Sequence, residues 1–361
     1  MKVVLFIDSL GPGGAQRQFV GLAAMLKENG YDVIVLTYFD IPFYKPLLDE
    51  AGVKQEVVAS AEGTLMRIPR VGKAIKRYAP DVVISYLETP SIIACVLRMM
   101  GAKWRLVVSE RNTTQRNTWK ERLRFNLFRM ADFVVPNSYS QERFVRNHFP
   151  FLQKKVVTIS NFTDLEHFHL GHYSPEHPTV QIVVAASIFA SKNTLGFIKA
   201  VAMLKERVRH FHIKWYGKVE AHQAYFDQCV SLISELGLEE YIELLDKTQQ
   251  IADRYRESDL FCLPSFYEGT PNVICEAMAC GLPVVCSDVC DNAIYVKEYV
   301  NGWLFDPTIP ADMADKLYMA ITSSADTKRA YSQQGRAMAE QHFAMDVFAD
   351  KYVALLNQLE K

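Results

Sequence analysis

Two glutamates eight positions apart, Glu268 and Glu276, stand in the segment Ser265-Phe266-Tyr267-Glu268-Gly269-Thr270-Pro271-Asn272-Val273-Ile274-Cys275-Glu276. Carboxylates accept hydrogen bonds from hydroxyl groups, and two of them suit a polyol with vicinal hydroxyls. Thr270-Pro271 reads as a helix start, a capping hydroxyl followed by proline at the first helical position. Glu268 then lies in the loop ahead of the helix. Glu276 lies on the helix, on one face with Asn272 and Val273. The backbone N–H groups of a helix start can hold a diphosphate between the two carboxylates. The plainer alternative is a pair of acidic residues that favour the helix macrodipole.

Short β-rich runs and longer helical runs alternate along the chain, and these elements must position the pair. Residues 3–7 read as a strand, and Gly11-Pro12-Gly13-Gly14 as a turn that lets backbone approach a ligand closely. Phe19, Leu22, Ala23 and Leu26 mark one face of a helix from Ala15, and Gly30 stops it. Further strands are expected at 33–38, 81–86, 105–109, 133–136 and 156–159. Helices fall at 91–100, 118–131 and from Ser138, where Ser138 and Gln141 make a capping box. A stretch of weak periodicity reaching Pro178 reads as a linker. The rhythm then restarts, with strands at 180–186, 211–216, 241–245, 260–263 and 283–287, and the chain beyond Pro310 is helical. Such repeats build parallel sheets whose ligands bind at the carboxyl ends of the strands. The expectation is an α/β protein of two doubly wound, Rossmann-like domains facing across a cleft. They span 1–170 and 171–343, and a helix at 344–361 crosses back to the first.

The 361 residues are 49% apolar and 22% charged, ample for a packed core, so a disordered chain is excluded. Forty basic residues balance 41 acidic ones, which argues against a nucleic-acid partner. Residues 64–129 break the balance, with fourteen basic residues against four acidic. Within them the helix at 119–130 carries Lys120, Arg122, Arg124 and Arg129 among Trp119, Leu123, Phe125, Leu127, Phe128 and Met130. That mixture suits an anionic membrane surface, or equally an amphipathic helix with solvated charges. The seven cysteines are odd in number and sit mostly in apolar runs, which points to buried thiols in a reducing compartment. No apolar run is long enough to span a membrane, and the first strand is too short for a signal peptide, so a cytoplasmic location is expected, with peripheral contact at the inner membrane face. His167, His169, His172 and His177 are irregularly spaced, Cys286 and Cys290 alone make no zinc site, and no D-x-D triplet occurs. Neither a metal nor a cofactor is expected.

The segment SFYEGTPNVICEAMACGLPVVCSD resembles the glycosyltransferases of family 4, a retaining group with the two-domain GT-B fold, and Glu268 and Glu276 match its E-x7-E motif. GPGGAQRQFVGLAAMLKENGYDVIVLT and ISNFTDLEHF extend the resemblance over nearly the whole chain. It implies transfer of a sugar, with its anomeric configuration kept and without a metal, from a nucleotide-sugar, most commonly a UDP-sugar. The acceptor would be a saccharide or lipid-linked saccharide, as in bacterial surface polysaccharide or glycolipid synthesis. By the same resemblance Glu276 binds the nucleotide ribose, and Glu268 sits by the donor sugar as a catalytic group. Gly269, Thr270, Pro271, Asn272 and Val273 line the sugar and diphosphate, and Gly14 admits the donor phosphate. Lys192 faces the diphosphate as a second catalytic group, with Ser187 where the family has arginine; Asn193, Gly217 and Lys247 complete the donor set. The first domain binds the acceptor, and Glu110, Arg111 and Asn112 stand where many members carry a histidine. Arg111 is a source for the missing positive charge. A non-catalytic sugar-nucleotide binder, or another GT-B enzyme such as an epimerase, is the alternative.

Overall fold

The computed structural model describes residues 1–58, 63–111, 113–114, 116–171, 178–217 and 223–360. Asn112 and residues 172–177 of the expected linker, His172 and His177 among them, lie outside the described residues. The chain forms two compact units, Met1–Phe162 with Met345–Lys361, and Thr163–Ala344.

The first unit runs β1 (Lys2–Phe6), α1 (Gly14–Glu28), β2 (Asp32–Thr37), α2 (Lys45–Glu50), β3 (Lys54–Val57), α3 (Thr64–Tyr78), β4 (Val82–Tyr86), α4 (Glu88–Met99), β5 (Arg105–Glu110), α5 (Trp119–Leu127), β6 (Phe133–Pro136) and α6 (Tyr139–His148). Its six strands are parallel in the order β3-β2-β1-β4-β5-β6. β4 reads Val-Val-Ile-Ser-Tyr and is buried throughout, as a strand covered on both faces must be. One face of the sheet packs on Phe19, Leu22 and Leu26 of α1, the other on Ile75 of α3, Ile93 of α4 and Phe125 of α5. Each such side chain, withdrawn from water, contributes about 1.5–3 kcal/mol.

The second unit runs β7 (Val180–Ala185), α7 (Thr194–Lys205), β8 (Phe211–Tyr216), α8 (Gln223–Glu235), β9 (Ile242–Leu245), α9 (Ile251–Arg256), β10 (Leu260–Leu263), α10 (Asn272–Ala279), β11 (Val284–Ser287), α11 (Asn292–Tyr295), β12 (Gly302–Phe305), α12 (Pro310–Thr322) and α13 (Ala325–Phe343). Its sheet is again parallel, in the order β12-β11-β10-β7-β8-β9. The order reverses between β7 and β10, which makes the crevice beyond their carboxyl ends the natural ligand position.

The last helix, α14 (Met345–Leu359), returns to the first unit and buries Phe348, Tyr352, Leu355 and Leu356 in the core around α1. The first crossing falls at Phe162 rather than at 170. Phe162 exchanges two hydrogen bonds with the Gln18 side chain, and its ring lies 5.3 Å from that of Phe348. Thr163 instead donates its N–H to the Phe343 carbonyl of the second unit.

Three local expectations are corrected. Residues 156–159 form only a Val134↔Val156 bridge beside β6, not a strand. The helix after Thr270 begins one residue late: Pro271 is its N-cap, and the Thr270 carbonyl accepts from the Asn272 N–H. Gly13 has φ −150° and Gly14 has no positive φ, so the turn after β1 does not use the left-handed freedom of glycine; Gly14 instead opens α1, exposed.

Candidate functional site

The loops after β7 and β10 meet at the reversal point of the second sheet. The Phe266 N–H donates to the Ser191 carbonyl at 2.9 Å, and Lys192 Nζ reaches Glu268 Oε1 at 2.6 Å. Both side chains of this ion pair are mostly buried, so solvent screens it weakly. Lys192 closes a short 3-10 turn, Ala190–Lys192, that precedes α7.

Glu276 is only 6% exposed on α10, and after burial its charge helps to hold the neighbouring Cys275 and Cys280 thiols protonated. The first turn of α10 offers fewer donors than the sequence suggests. The Asn272 N–H is taken by Thr270, and those of Ile274 and Cys275 by Pro271; among the described residues no main-chain acceptor takes the Val273 N–H. Thr270 is buried, and Gly269 is partly so. The start of α7 is also occupied, because the Leu195 N–H donates to the Tyr225 hydroxyl. Lys192 is the cationic side chain where these loops meet.

Asn193 turns inward. It adopts φ 57°, and its Nδ2 donates to the Pro307 carbonyl at 2.7 Å, so the amide anchors the loop from inside. Ser187 is partly exposed just beyond β7. Gly217 follows β8 and donates its N–H to the Leu245 carbonyl, while a Cβ there would run into the Ala186 carbonyl oxygen. Only glycine lets the loops after β7 and β8 close up in this way. Lys247 is exposed beyond β9. An open groove of about 430 Å³ adjoins this edge through Phe266, along Asp288, Glu298, Asp306 and Asp312.

From the sequence Cys290 is considered only as half of a metal-binding pair with Cys286, yet it sits beside Glu268. It lies in the loop after β11 with φ 52°, and its Sγ accepts the Glu268 N–H at 3.4 Å. The signal for it is positional: the residue follows a carboxyl end adjacent to that of β10.

In the first unit the polar residues after β5 are engaged. Arg111 donates to Ser109 Oγ at 2.7 Å, Asn161 Oδ1 at 2.8 Å, Tyr86 OH at 2.8 Å and Tyr352 OH at 2.7 Å, and its guanidinium lies 4.4 Å from the centre of the Tyr86 ring. Complete burial holds the Tyr86 phenol well above its usual ionisation. Glu110 is 4% exposed and pairs with Arg124 at 3.4 Å; Arg124 also reaches Glu88 at 3.4 Å and Thr114 Oγ1 at 2.9 Å. Arg124 is thus an internal cation, not one of the outward charges of its helix. Gln141 supplies only half of a capping box. Its N–H meets Ser138 Oγ, but its side chain holds Thr114 by two hydrogen bonds.

The outer face of α5 carries Trp119, 71% exposed, and Leu123, 58% exposed, beside exposed Lys120 and Arg122. The turn that follows exposes Arg129 and Met130. Arg67 on α3 stacks over Tyr38 and Phe39 at 4.6 and 4.8 Å, and no carboxylate among the described residues pairs with it. No helix among the described residues is long and apolar enough to cross a membrane.

Two family models match the chain consecutively. Glycosyltransferase Family 4 matches residues 12–167, and Glycosyl transferases group 1 matches residues 173–338. An N-acetylgalactosamine-N,N'-diacetylbacillosaminyl-diphospho-undecaprenol 4-alpha-N-acetylgalactosaminyltransferase of Campylobacter jejuni is 25% identical over 98% of this chain and 99% of its own length. The amylovoran biosynthesis glycosyltransferase AmsD of Erwinia amylovora is 22% identical over 84% of this chain and 88% of its own. Among solved structures, a glycosyltransferase from Rickettsia africae superposes with a TM-score of 0.87 at 16% identity, covering 100% of this chain and 99% of its own. Anabaena Alr3699/HepE in complex with UDP superposes with a TM-score of 0.85 at 20% identity, covering 99% and 100%. The architecture is the GT-B fold.

Proposed function

Because the chain belongs to the family 4 glycosyltransferases, we propose that it transfers a sugar from a UDP-sugar to a lipid-diphosphate-linked saccharide, with the anomeric configuration kept and without a metal. The observation that carries this reading is the Lys192–Glu268 pair at the reversal point of the second sheet, eight residues ahead of the buried Glu276.

The donor lies along the carboxyl edge of the second sheet. Glu276 accepts from the ribose hydroxyls, and Lys192 donates to the diphosphate oxygens. Gly217, Lys247 and Ser187 border the nucleotide; Gly269, Thr270, Pro271, Asn272 and Val273 border the sugar and diphosphate. The sugar C1–O bond breaks through an oxocarbenium-like state, and negative charge grows on the departing diphosphate. Stabilising that charge is the largest lever available to the enzyme. Lys192 supplies it, and Glu268 both holds the lysine and offsets positive charge on the ring. The acceptor hydroxyl attacks C1 on the face the diphosphate leaves, and its proton passes to a diphosphate oxygen.

The first unit takes the acceptor. Arg67, held flat on two rings, is the cation we assign to the acceptor diphosphate, in keeping with the fork geometry by which guanidinium binds phosphate. Trp119 and Leu123, rimmed by Lys120, Arg122 and Arg129, rest on an anionic membrane surface from the cytoplasmic side. The named Campylobacter relative, with its undecaprenol-linked acceptor, supports this choice.

The test is incubation with UDP-N-acetylgalactosamine and UDP-glucose in turn, each with a short-chain polyprenyl-diphosphate disaccharide, followed by NMR of the product. A new glycoside with the small anomeric coupling of an α-linkage supports the reading. Product with a β-linkage removes retention, and no product with either donor removes the donor class.

A further inference from the structure

We propose that Cys290 is a positioning residue for Glu268, holding the loop after β10 by accepting the Glu268 N–H on its sulfur. The inference rests on the reading of Glu268 given above and adds a residue to it.

Two independent features point the same way. Cys290 adopts φ 52°, a conformation that a side-chain-bearing residue takes only against a steric cost and that glycine takes freely. A cysteine held there against that cost signals a use for the side chain. The second feature is the hydrogen bond itself: Sγ accepts the Glu268 N–H at 3.4 Å, and Glu268 in turn holds Lys192 at 2.6 Å. The thiol, the glutamate and the lysine form one chain across the ends of β11, β10 and β7. The turn carrying the thiol is well fixed. The Val289 N–H donates to the Ser287 carbonyl, the Asn292 N–H to the Val289 carbonyl, and Asn292 Nδ2 to the Ser287 carbonyl. Cys290 is also the one cysteine that is partly exposed; the other six are buried. A reagent small enough to enter can therefore reach this sulfur and, by occupying it, displace the Glu268 N–H.

The decisive variants are Cys290→Gly and Cys290→Ser. Glycine relieves the strained φ and removes the acceptor; serine keeps an acceptor at the cost of the strain. In the full-length protein without ligand, amide exchange at Glu268 should speed up about 3- to 10-fold in Cys290→Gly, the loss of one ordinary hydrogen bond, and stay within a factor of about two in Cys290→Ser. The melting temperature of Cys290→Gly should hold or rise while its donor turnover falls by a similar factor, with KM for the donor little changed. A residue that served stability alone would move melting temperature and turnover together. Unchanged exchange at Glu268 in Cys290→Gly overturns the inference, and so does a fall in melting temperature with turnover kept. Glu268→Gln serves as the control. If it keeps full turnover, the role of Glu268 fails and this inference falls with it. If it is inactive while Cys290→Gly turns over normally, only the role of Cys290 fails.

Discussion

Lys192 Nζ and Glu268 Oε1 lie 2.6 Å apart, joining the loops after two adjacent strands where the strand order of the second sheet reverses. Under the proposed function, a donor diphosphate would draw Lys192 away from this carboxylate. Replacing either should damage the chemical step more than binding. Lys192→Ala should lower turnover by about 100-fold, the scale seen when one preorganised donor to a developing anion is removed. Glu268→Gln should lower it comparably with a smaller change in KM. Steady-state kinetics with the identified donor check both.

Acceptor recognition should separate from donor chemistry. Arg67 lies in the first unit, over Tyr38 and Phe39. Arg67→Ala should raise KM for the polyprenyl-diphosphate acceptor by about tenfold, the effect of losing one charged hydrogen-bonding contact. Slow hydrolysis of the donor in the absence of acceptor should be unaffected.

The last helix should prove integral to the first unit. Tyr352 is fully buried and shares its hydroxyl with Tyr86 at 2.9 Å and Arg111 at 2.7 Å. Tyr352→Phe leaves the half-buried Arg111 guanidinium and the buried Tyr86 phenol each one partner short, which costs about 1–3 kcal/mol. Chemical denaturation should show a lower midpoint with an unchanged slope.

The outer face of α5 should direct membrane attachment. Trp119→Ser with Leu123→Ser should abolish flotation with vesicles containing anionic lipid at low salt, without lowering the melting temperature, because both side chains are exposed. Binding unaffected by the pair would move the contact elsewhere.

Thiol reactivity should be selective. Burial pushes Cys95, Cys229 and Cys280 each up to about 12, and raises Cys262, Cys275 and Cys286 as well. At pH 8 those six stay protonated, and the thiolate is the reactive form. Iodoacetamide followed by peptide mapping should label Cys290 alone, more slowly when UDP is present.

Much of this organisation is legible in the residues. The alternation of apolar runs with glycine-stopped helices gives both parallel sheets, because Gly30, Gly101 and Gly237 all take positive φ where helices end. The Glu268–Glu276 segment is legible because a strand, a loop and a helix start follow one another within it. What escaped depends on contacts between distant residues. Arg124 reads as a surface charge from periodicity, yet Glu110 and Glu88 draw it inward. Arg111 reads as a free loop cation, yet it is engaged by Tyr86, Asn161 and Tyr352, the last of them 241 positions away. Thr270 reads as a cap, yet the helix starts one residue later, because the Asn272 N–H closes a tight turn onto the Thr270 carbonyl. Strands β3 and β12 and helix α2 are too short to announce themselves, whereas α3 is a fifteen-residue amphipathic helix that its internal Pro69 disguises.

The central claim is that the carboxyl edge of the second sheet grips a uridine diphosphate, with Glu276 on its ribose. Titration calorimetry with UDP on the wild-type protein and on Glu276→Ala tests it most directly. A single site is expected, with an affinity that falls about 10- to 100-fold in the variant, the loss expected for hydrogen bonds to one carboxylate. UDP binding equally tight in both proteins would contradict it.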